Sequence, residues 1–170
     1  ELFKHHKVIS NEFLANNFFE SSGTTGSISS KHFYQDLEIY NGSYLNGFQN
    51  QYGSPSDWVI LGLLPSYLER KNASLVYMVD GLMKHSAQPE NGFYLYNYEK
   101  LKETLDTLAK TDKKVMLFGV TFALIEFAQK LADASATVIR QYYRTGLAID
   151  DKLDASPVTQ ADREAEQVMR

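Results

Sequence analysis

The 170-residue chain contains no cysteine, which excludes disulfide bonds, thiolate nucleophiles and cysteine-based zinc sites. Long apolar runs are also lacking, since the stretch from Val115 to Ala128 is too short to span a membrane and ends in charged residues. The opening residues, ELFKHHKV, include no positively charged leader before an apolar stretch and no starting Met, so we expect no signal peptide and interpret the chain as a fragment.

Positive charge is in deficit. Lys and Arg number 17 against 21 acidic residues, for a net charge of −4, so no large basic surface is available for nucleic acid. We therefore expect a cytoplasmic protein with no nucleic-acid partner and no transmembrane segment. The composition is 44% hydrophobic and 13% aromatic, which suffices for one core.

The order of the predicted elements indicates the fold class. Lys31–Tyr34 reads as a short extended segment, and apolar spacing predicts a helix from Gln35 that stops at YGSP, Tyr52–Pro55. The run WVILGLL, Trp58–Leu64, is typical of a buried strand. Asn72 is the expected cap of the next helix, which runs to about Lys84.

The pattern then repeats. GFYLY, Gly92–Tyr96, predicts a strand, and Asn97 caps the following helix. Lys113–Val120 predicts a second buried strand, and one helical pattern extends from Thr121 to about Tyr143, with Gly146 as its expected stop. This alternation predicts an α/β fold with a layered parallel or mixed sheet and flanking helices, incomplete, followed by a long helix and a polar C-terminal tail. In that tail Thr159 and Asp162 have the spacing of a capping box.

The stretch ESSGTTGSISSKH, residues 20–32, is rich in small and hydroxyl residues. Gly23 and Gly26 allow backbone conformations in which successive N–H groups converge on an anion, and the neighbouring Ser and Thr hydroxyls add donors. A flexible linker is the alternative reading of such a composition. Linkers usually lie at domain edges, whereas this stretch lies between an aromatic segment and the α/β body, which favours a phosphate loop.

The segment SSGTTGS resembles the phosphate-binding signature of adenylate-forming enzymes. Together with FKHHKV, SSKH, LLPSYLERKNASLVYMVDGLM, NGFYLYN and VMLFGVTFALIEFA, it is similar to the LuxE-type acyl-protein synthetase and acyltransferase family over residues 1 to about 128. The resemblance implies ATP-dependent activation of a carboxylic (fatty) acid through an acyl-adenylate, with Mg²⁺ as cofactor and acyl transfer to a protein or thiol acceptor. The expected ATP phosphate-binding residues are Ser21, Ser22, Gly23, Thr24, Thr25 and Gly26.

On the same resemblance, the hydroxyl of Thr24 or Thr25 is a candidate metal ligand, and Lys31 is the nearest cation. Lys31 departs from the wider superfamily, in which the lysine of this loop stands at the place of Ser29. Luminous-type synthetases pass the acyl group to a cysteine, which this chain lacks. The catalytic residue stays unidentified, with Lys31 and Arg70 as candidates.

Further polar residues have two possible readings. Tyr67, Glu69 and Arg70 follow the end of a predicted strand, where α/β sheets place their sites, although a Glu–Arg pair that braces a turn explains them equally well. The four histidines lack metal-ligand spacing, Glu126 is expected to be solvated, and Tyr77 and Met78 are expected in the core.

From about Lys130 the chain resembles the N-terminal end of inositol-monophosphatase-type enzymes, closest to histidinol phosphatases, on the segments YYRTG and DASPVT-x-AD. That resemblance implies early polar positions near a metal site at Lys152, Asp154, Thr159 and Asp162, of which Asp162 is the candidate ligand. We therefore predict a partial adenylate-forming domain over 1–128 and a phosphatase-like remnant over 129–170, joined near 127–131 in a chimeric or truncated chain. A Mg²⁺-dependent phosphomonoesterase and a non-catalytic nucleotide-binding fragment are the alternative functions.

Overall fold

The structure, a computed structural model, describes residues 2–9, 16–21, 28–65, 69–95, 97–146, 148–151 and 157–169. It is a mixed α/β fold, as the alternation of patterns predicts. The elements in chain order are α1 Leu2–His5, β1 Asn17–Glu20, β2 Lys31–Tyr34, α2 Glu38–Tyr52, a 3₁₀ turn Pro55–Asp57, β3 Trp58–Leu63, α3 Ser74–Ser86, β4 Gly92–Phe93, α4 Tyr98–Leu108, β5 Lys114–Gly119, α5 Thr121–Gln141, β6 Ile149–Asp151, β7 Pro157–Thr159 and α6 Gln160–Met169.

The chain forms two compact units. The N-terminal unit comprises Glu1–Tyr96 and Asp112–Phe118, and the C-terminal unit comprises Asn97–Thr111 and Gly119–Arg170. No helix among the described residues has both the length and the apolarity needed to cross a membrane.

A three-stranded sheet in the order β4-β3-β5 forms the centre of the N-terminal unit. β3 and β4 pair in parallel, with Leu61 opposite Gly92. β3 is apolar along its length because consecutive residues on both of its faces are buried, Ile60 and Leu61 among them at 0% exposure. Its core cluster consists of Phe48, Ile60, Leu64, Val79, Leu82 and Met83.

The side chain of Asn91 ties this sheet to α3. Its Oδ1 accepts the N–H of Ile60 at 2.8 Å, and its Nδ2 donates to the carbonyl of Met83 at 2.9 Å. One half-buried amide therefore satisfies backbone groups of a strand and of a helix, which holds the two elements in register.

A separate antiparallel hairpin, β1–β2, packs beside α2 and α3 through aromatic side chains. The ring of Phe19 lies 5.1 Å from the ring of Tyr40 and 5.6 Å from that of Tyr77. Residues alternate across a strand, so Glu20 and its cross-strand partner Lys31 lie on the opposite face of the hairpin from Phe19. Met78 packs against the core cluster, as expected, whereas Tyr77 is half-buried and contacts the rings of Phe19 and Tyr40 outside that cluster.

In the C-terminal unit, α5 is one continuous helix of 21 residues that runs through residues 127–131 without a break. α6 packs along it, and Glu164 accepts a hydrogen bond from the phenol of Tyr142. Tyr98 of α4 stacks on Phe127 of α5 at 5.8 Å between ring centroids.

Two predicted helix caps are confirmed. The side chain of Asn97 accepts the N–H of Lys100 at 3.0 Å at the start of α4. Asp162 accepts the N–H of Thr159 at 2.8 Å, and the hydroxyl of Thr159 accepts the N–H of Asp162 at 3.3 Å, which completes the reciprocal pair before α6.

Three local predictions are wrong. Asn72 does not cap α3, because the N-cap is Ala73, without a side-chain hydrogen bond, and the carbonyl of Asn72 instead accepts from Glu20. β4 ends at Phe93 and does not extend to residue 96. Gly146 does not end the long helix, which stops at Gln141 before a turn closed by Thr145.

Candidate functional site

The predicted phosphate loop is the connection of the β1–β2 hairpin. Its base is closed by two hydrogen bonds, in which the N–H of Ser21 donates to the carbonyl of Ser30 and the N–H of Ser30 donates to Oγ of Ser21, both at 3.0 Å. The amide of Ser21 is therefore occupied within the hairpin. What Ser21 retains for a ligand is its hydroxyl proton.

Most of the loop prediction falls on residues outside the described part of the chain. This applies to Ser22, Gly23, Thr24, Thr25 and Gly26, to Tyr67, and, in the tail, to Lys152 and Asp154. The phosphate-binding and metal-binding assignments at these positions stay predictions.

A turn that follows β3 lies against the base of the same loop. The N–H of Glu20, the last residue of β1, donates to the carbonyl of Asn72 at 2.7 Å. The turn itself is closed by the N–H of Ala73, which donates to the carbonyl of Arg70 at 3.1 Å. Two segments about fifty positions apart in the chain are thereby joined at the residue that precedes the loop.

An open groove of about 300 Å³ lies at this junction. It is lined by Glu20, Glu69, Arg70, Lys71, Asn72 and Ala73, all within the N-terminal unit. This volume is at the lower limit of small-molecule pockets, so the groove accommodates part of a nucleotide, such as its phosphates, and not the whole.

The charges around the groove are mixed. Arg70 and Lys71 are exposed, and among the described residues neither takes part in an ion pair. Nζ of Lys31 lies 4.0 Å from Oε1 of Glu20 and 4.6 Å from the ring centroid of Phe18. Lys31 therefore lies beside a groove residue, while Arg70 is in the groove wall.

Tyr40 fixes the start of α3, next to the groove residue Ala73. Its phenol donates to the carbonyl of Ser74 at 3.0 Å, which holds the first residue of α3 next to Ala73. Burial raises the pKa of Tyr40 above its ordinary value of 10.0.

The groove includes carboxylates of the kind that Mg²⁺ uses. Mg²⁺ is usually held by one or two carboxylates together with substrate phosphates, and Glu20 and Glu69 supply such oxygens. Groups of three or more His, Cys, Asp or Glu side chains that could hold a metal without a substrate are absent from the described residues.

In the phosphatase-like tail, the structure describes two of the predicted polar residues, Thr159 and Asp162. The carboxylate of Asp162 accepts both the N–H and the hydroxyl of Thr159 at 2.8 Å. These bonds make the two residues a helix cap, and the assignment of Asp162 as a metal ligand stays a prediction. Glu126 is exposed, as expected, and it also accepts a hydrogen bond from the phenol of Tyr98, whose pKa is raised by loss of solvation and by that bond.

Sequence reasoning missed Glu20, Lys71 and Asn72 as groove residues. Lys71 had a local signal, since it adjoins Arg70 after a strand end. Glu20 and Asn72 had none, because their place in the site follows from a backbone hydrogen bond between distant segments. In comparisons with known proteins, no family model, no curated protein and no solved structure matches this chain.

Proposed function

We propose that the N-terminal unit binds the phosphates of ATP·Mg²⁺ with the Ser21–Gly26 loop and the adjoining groove, and that it serves ATP-dependent activation of a carboxylic acid, such as a fatty acid. One observation carries the proposal. The hydrogen bond from Glu20 to Asn72 sets the Arg70–Lys71 turn against Glu20, the residue that precedes the hydroxyl-rich loop.

The chemistry assigns a role to each group. A carboxylate oxygen attacks the α-phosphorus of ATP, the bond from that phosphorus to the bridging oxygen breaks, and pyrophosphate leaves with its electron pair. Negative charge builds on the phosphate oxygens during this step, so the cations of Arg70 and Lys71 stabilise the transition state. When bound, Mg²⁺ neutralises further phosphate charge, and Glu20 and Glu69 are the residues that would hold it.

A nucleophile of the acceptor then attacks the acyl carbon of the adenylate, the bond from that carbon to the phosphate oxygen breaks, and AMP leaves. Because the chain has no cysteine, a thiol acceptor must belong to another molecule, either a protein or a small thiol. Lys31 lies beside Glu20 and is a candidate for orienting that carboxylate.

Binding of ATP·Mg²⁺ measured by calorimetry tests the phosphate site. We expect Arg70→Ala with Lys71→Ala to weaken binding about tenfold to a hundredfold, since hydrogen bonds from charged groups contribute about 1.5–3 kcal/mol. The matched control is Lys100→Ala with Lys110→Ala, which removes two exposed cations in and just after α4. If the two double variants weaken ATP·Mg²⁺ binding equally, the loss is due to net charge alone and the proposed site is contradicted.

A loop variant tests the second half of the site. Thr24→Ala with Thr25→Ala should also weaken ATP binding. Wild-type affinity in this variant would show that the loop is a flexible linker and not a phosphate-binding loop. Release of pyrophosphate from ATP in the presence of a fatty acid tests the reaction itself. Binding without turnover would support the alternative of a non-catalytic nucleotide-binding fragment.

A further inference from the structure

One face of α5 carries exposed apolar residues at coiled-coil spacing. Phe122 is 86% exposed, Ile125 60% and Ile139 49%, and Tyr143 in the turn after the helix is 72% exposed. With the residues between them they follow alternating steps of three and four positions. The apolar seam, as we call it, consists of Phe122, Ile125, Gln129, Ala132, Ala136, Ile139 and Tyr143.

The seam lies away from the buried side of the helix. Ala123, Phe127 and Ser135 are the buried residues of α5. At 100° per residue, Phe127 points roughly 170° from the centre of the seam. The contacts that hold α5 in the C-terminal unit therefore leave the seam uncovered. A sustained spacing of 3.5 residues on an exposed face is the pattern by which two helices pack side by side.

The charged residues along one side of the apolar seam favour pairing with a second copy of α5 in the antiparallel direction. Glu126, Asp133 and Arg140 follow one another at seven-residue intervals beside the seam. In an antiparallel pair of identical helices these positions face each other, so Glu126 lies opposite Arg140 of the second copy, the same pair recurs by symmetry, and Asp133 lies opposite Asp133 of the second copy at the centre. Two attractive pairs therefore stand against one repulsive pair. A parallel pair would instead set these charges against the uncharged residues Thr121, Ala128 and Ser135.

The sizes of the side chains fit the same arrangement. With Glu126 opposite Arg140, Ala132 of one copy meets Ala136 of the other at the centre of the pair. Small residues there let the helices approach closely. Ile125 then meets Tyr143 at each end, so large side chains fill the space where the helices diverge.

The exposed area is enough for a modest interface. The four large side chains of the seam expose on the order of 500 Å² per copy. A pair would bury on the order of 1,000 Å², which is the lower bound for a specific interface. We propose that α5 forms an antiparallel homodimer through the apolar seam, so that the partner of this face is a second copy of this chain.

Sedimentation of the full chain over a wide range of concentrations tests the dimer. We expect a reversible monomer–dimer equilibrium. Ile125→Glu with Ile139→Glu should raise the dimer Kd about a hundredfold or more, because the introduced carboxylates would be desolvated without partners. Both sites are exposed, so the variant keeps its helix content by circular dichroism. The control is Ile39→Glu, a substitution at an 87% exposed residue of α2. A wild-type chain that stays monomeric, or equal weakening by the control, would overturn the proposal.

Because the chain has no cysteine, single-cysteine variants report the direction of the helices. Asp133 lies near the two-fold axis of the antiparallel pair, so a short bis-maleimide should capture Asp133→Cys as a covalent dimer. Lys130→Cys, on the same helix but away from the seam, should stay monomeric under the same conditions. Capture of both variants alike, or of neither, would overturn the antiparallel arrangement.

Discussion

Gly81, in the interior of α3, offers a direct test of the packing in the N-terminal unit. A Cβ added there would lie 2.9 Å from Cζ of Tyr44 and closer still to its phenolic oxygen. The ring of Tyr44 has little room to move, because it packs edge-on against Tyr40 at 5.6 Å and against the core cluster. Gly81→Ala therefore forces the half-buried ring of Tyr44 out of place.

Two opposing effects determine the result. Replacing a helical glycine by alanine favours folding by about 1 kcal/mol, through helix propensity and the entropy of the unfolded chain. Overpacking of a core costs about 1–3 kcal/mol. We expect the clash to dominate, so that Gly81→Ala lowers the free energy of unfolding by up to about 2 kcal/mol.

Gly47 supplies the matched control. It lies in the interior of α2, and a Cβ added there meets nothing within 4 Å. Gly47→Ala should therefore raise the free energy of unfolding by about 1 kcal/mol, since it keeps the propensity gain without the clash. Urea unfolding of both variants measures the difference directly.

A double-mutant cycle identifies the cause. In a Tyr44→Phe background the phenolic oxygen is gone, and the penalty of Gly81→Ala should shrink by about 1 kcal/mol. The reasoning is refuted if Gly81→Ala stabilises the protein as much as Gly47→Ala does. It is refuted equally if the penalty is unchanged when the phenolic oxygen is removed.

Three further predictions concern single interactions. Asn97→Ala removes the cap of α4 and should cost about 1 kcal/mol in urea unfolding, whereas Asn97→Asp should retain most of the stability. Asp162→Ala breaks the capping box of α6 and should also cost about 1 kcal/mol in urea unfolding. The accompanying loss of helix should be confined to the C-terminal turns of the chain. Asp162→Asn should recover part of the lost stability. The hydrogen bond from Lys113 at 2.7 Å lowers the pKa of Glu90 below its ordinary 4.5. A carboxyl whose pKa is lower in the folded state than in the unfolded state stabilises the protein above the unfolded-state pKa, and this stabilisation is lost as the pH falls through the folded-state pKa. The wild type should therefore lose stability on acidification below pH 4.5 more steeply than Lys113→Met. Parallel acid titrations of the two proteins would contradict this assignment.

The proposed nucleotide site and the proposed dimer are independent of each other. The groove lies in the N-terminal unit and the apolar seam in the C-terminal unit. Loss of ATP binding in the Arg70 and Lys71 variant leaves sedimentation unchanged, and the seam variant leaves ATP binding unchanged. Failure of either proposal therefore leaves the other standing.

Local signals predicted the elements that depend on near neighbours. The caps at Asn97 and at Thr159 with Asp162 were predictable because each joins residues three positions apart. β3 was predictable because burial on both faces demands an unbroken apolar run. The long helix α5 followed from its periodicity, although its end did not.

Predictions were wrong where distant segments compete for the backbone. Asn72 has the residue type of a helix cap, yet its carbonyl is engaged by Glu20 and the helix begins after Ala73. β1 was not predicted as a strand, because its four residues form a strand only through pairing with β2. The same holds for β6 and β7, which pair with each other and are three residues each.

The amino-acid sequence by itself determined the alternation of strands and helices, the caps and the hydroxyl-rich character of the loop, because these depend on side-chain types at short spacing. Only the tertiary structure decided that Arg70 and Lys71 meet the base of that loop and that one face of α5 stays uncovered. The reason is physical: such contacts are made by backbone hydrogen bonds and packing between segments far apart in the chain, and no local pattern encodes them.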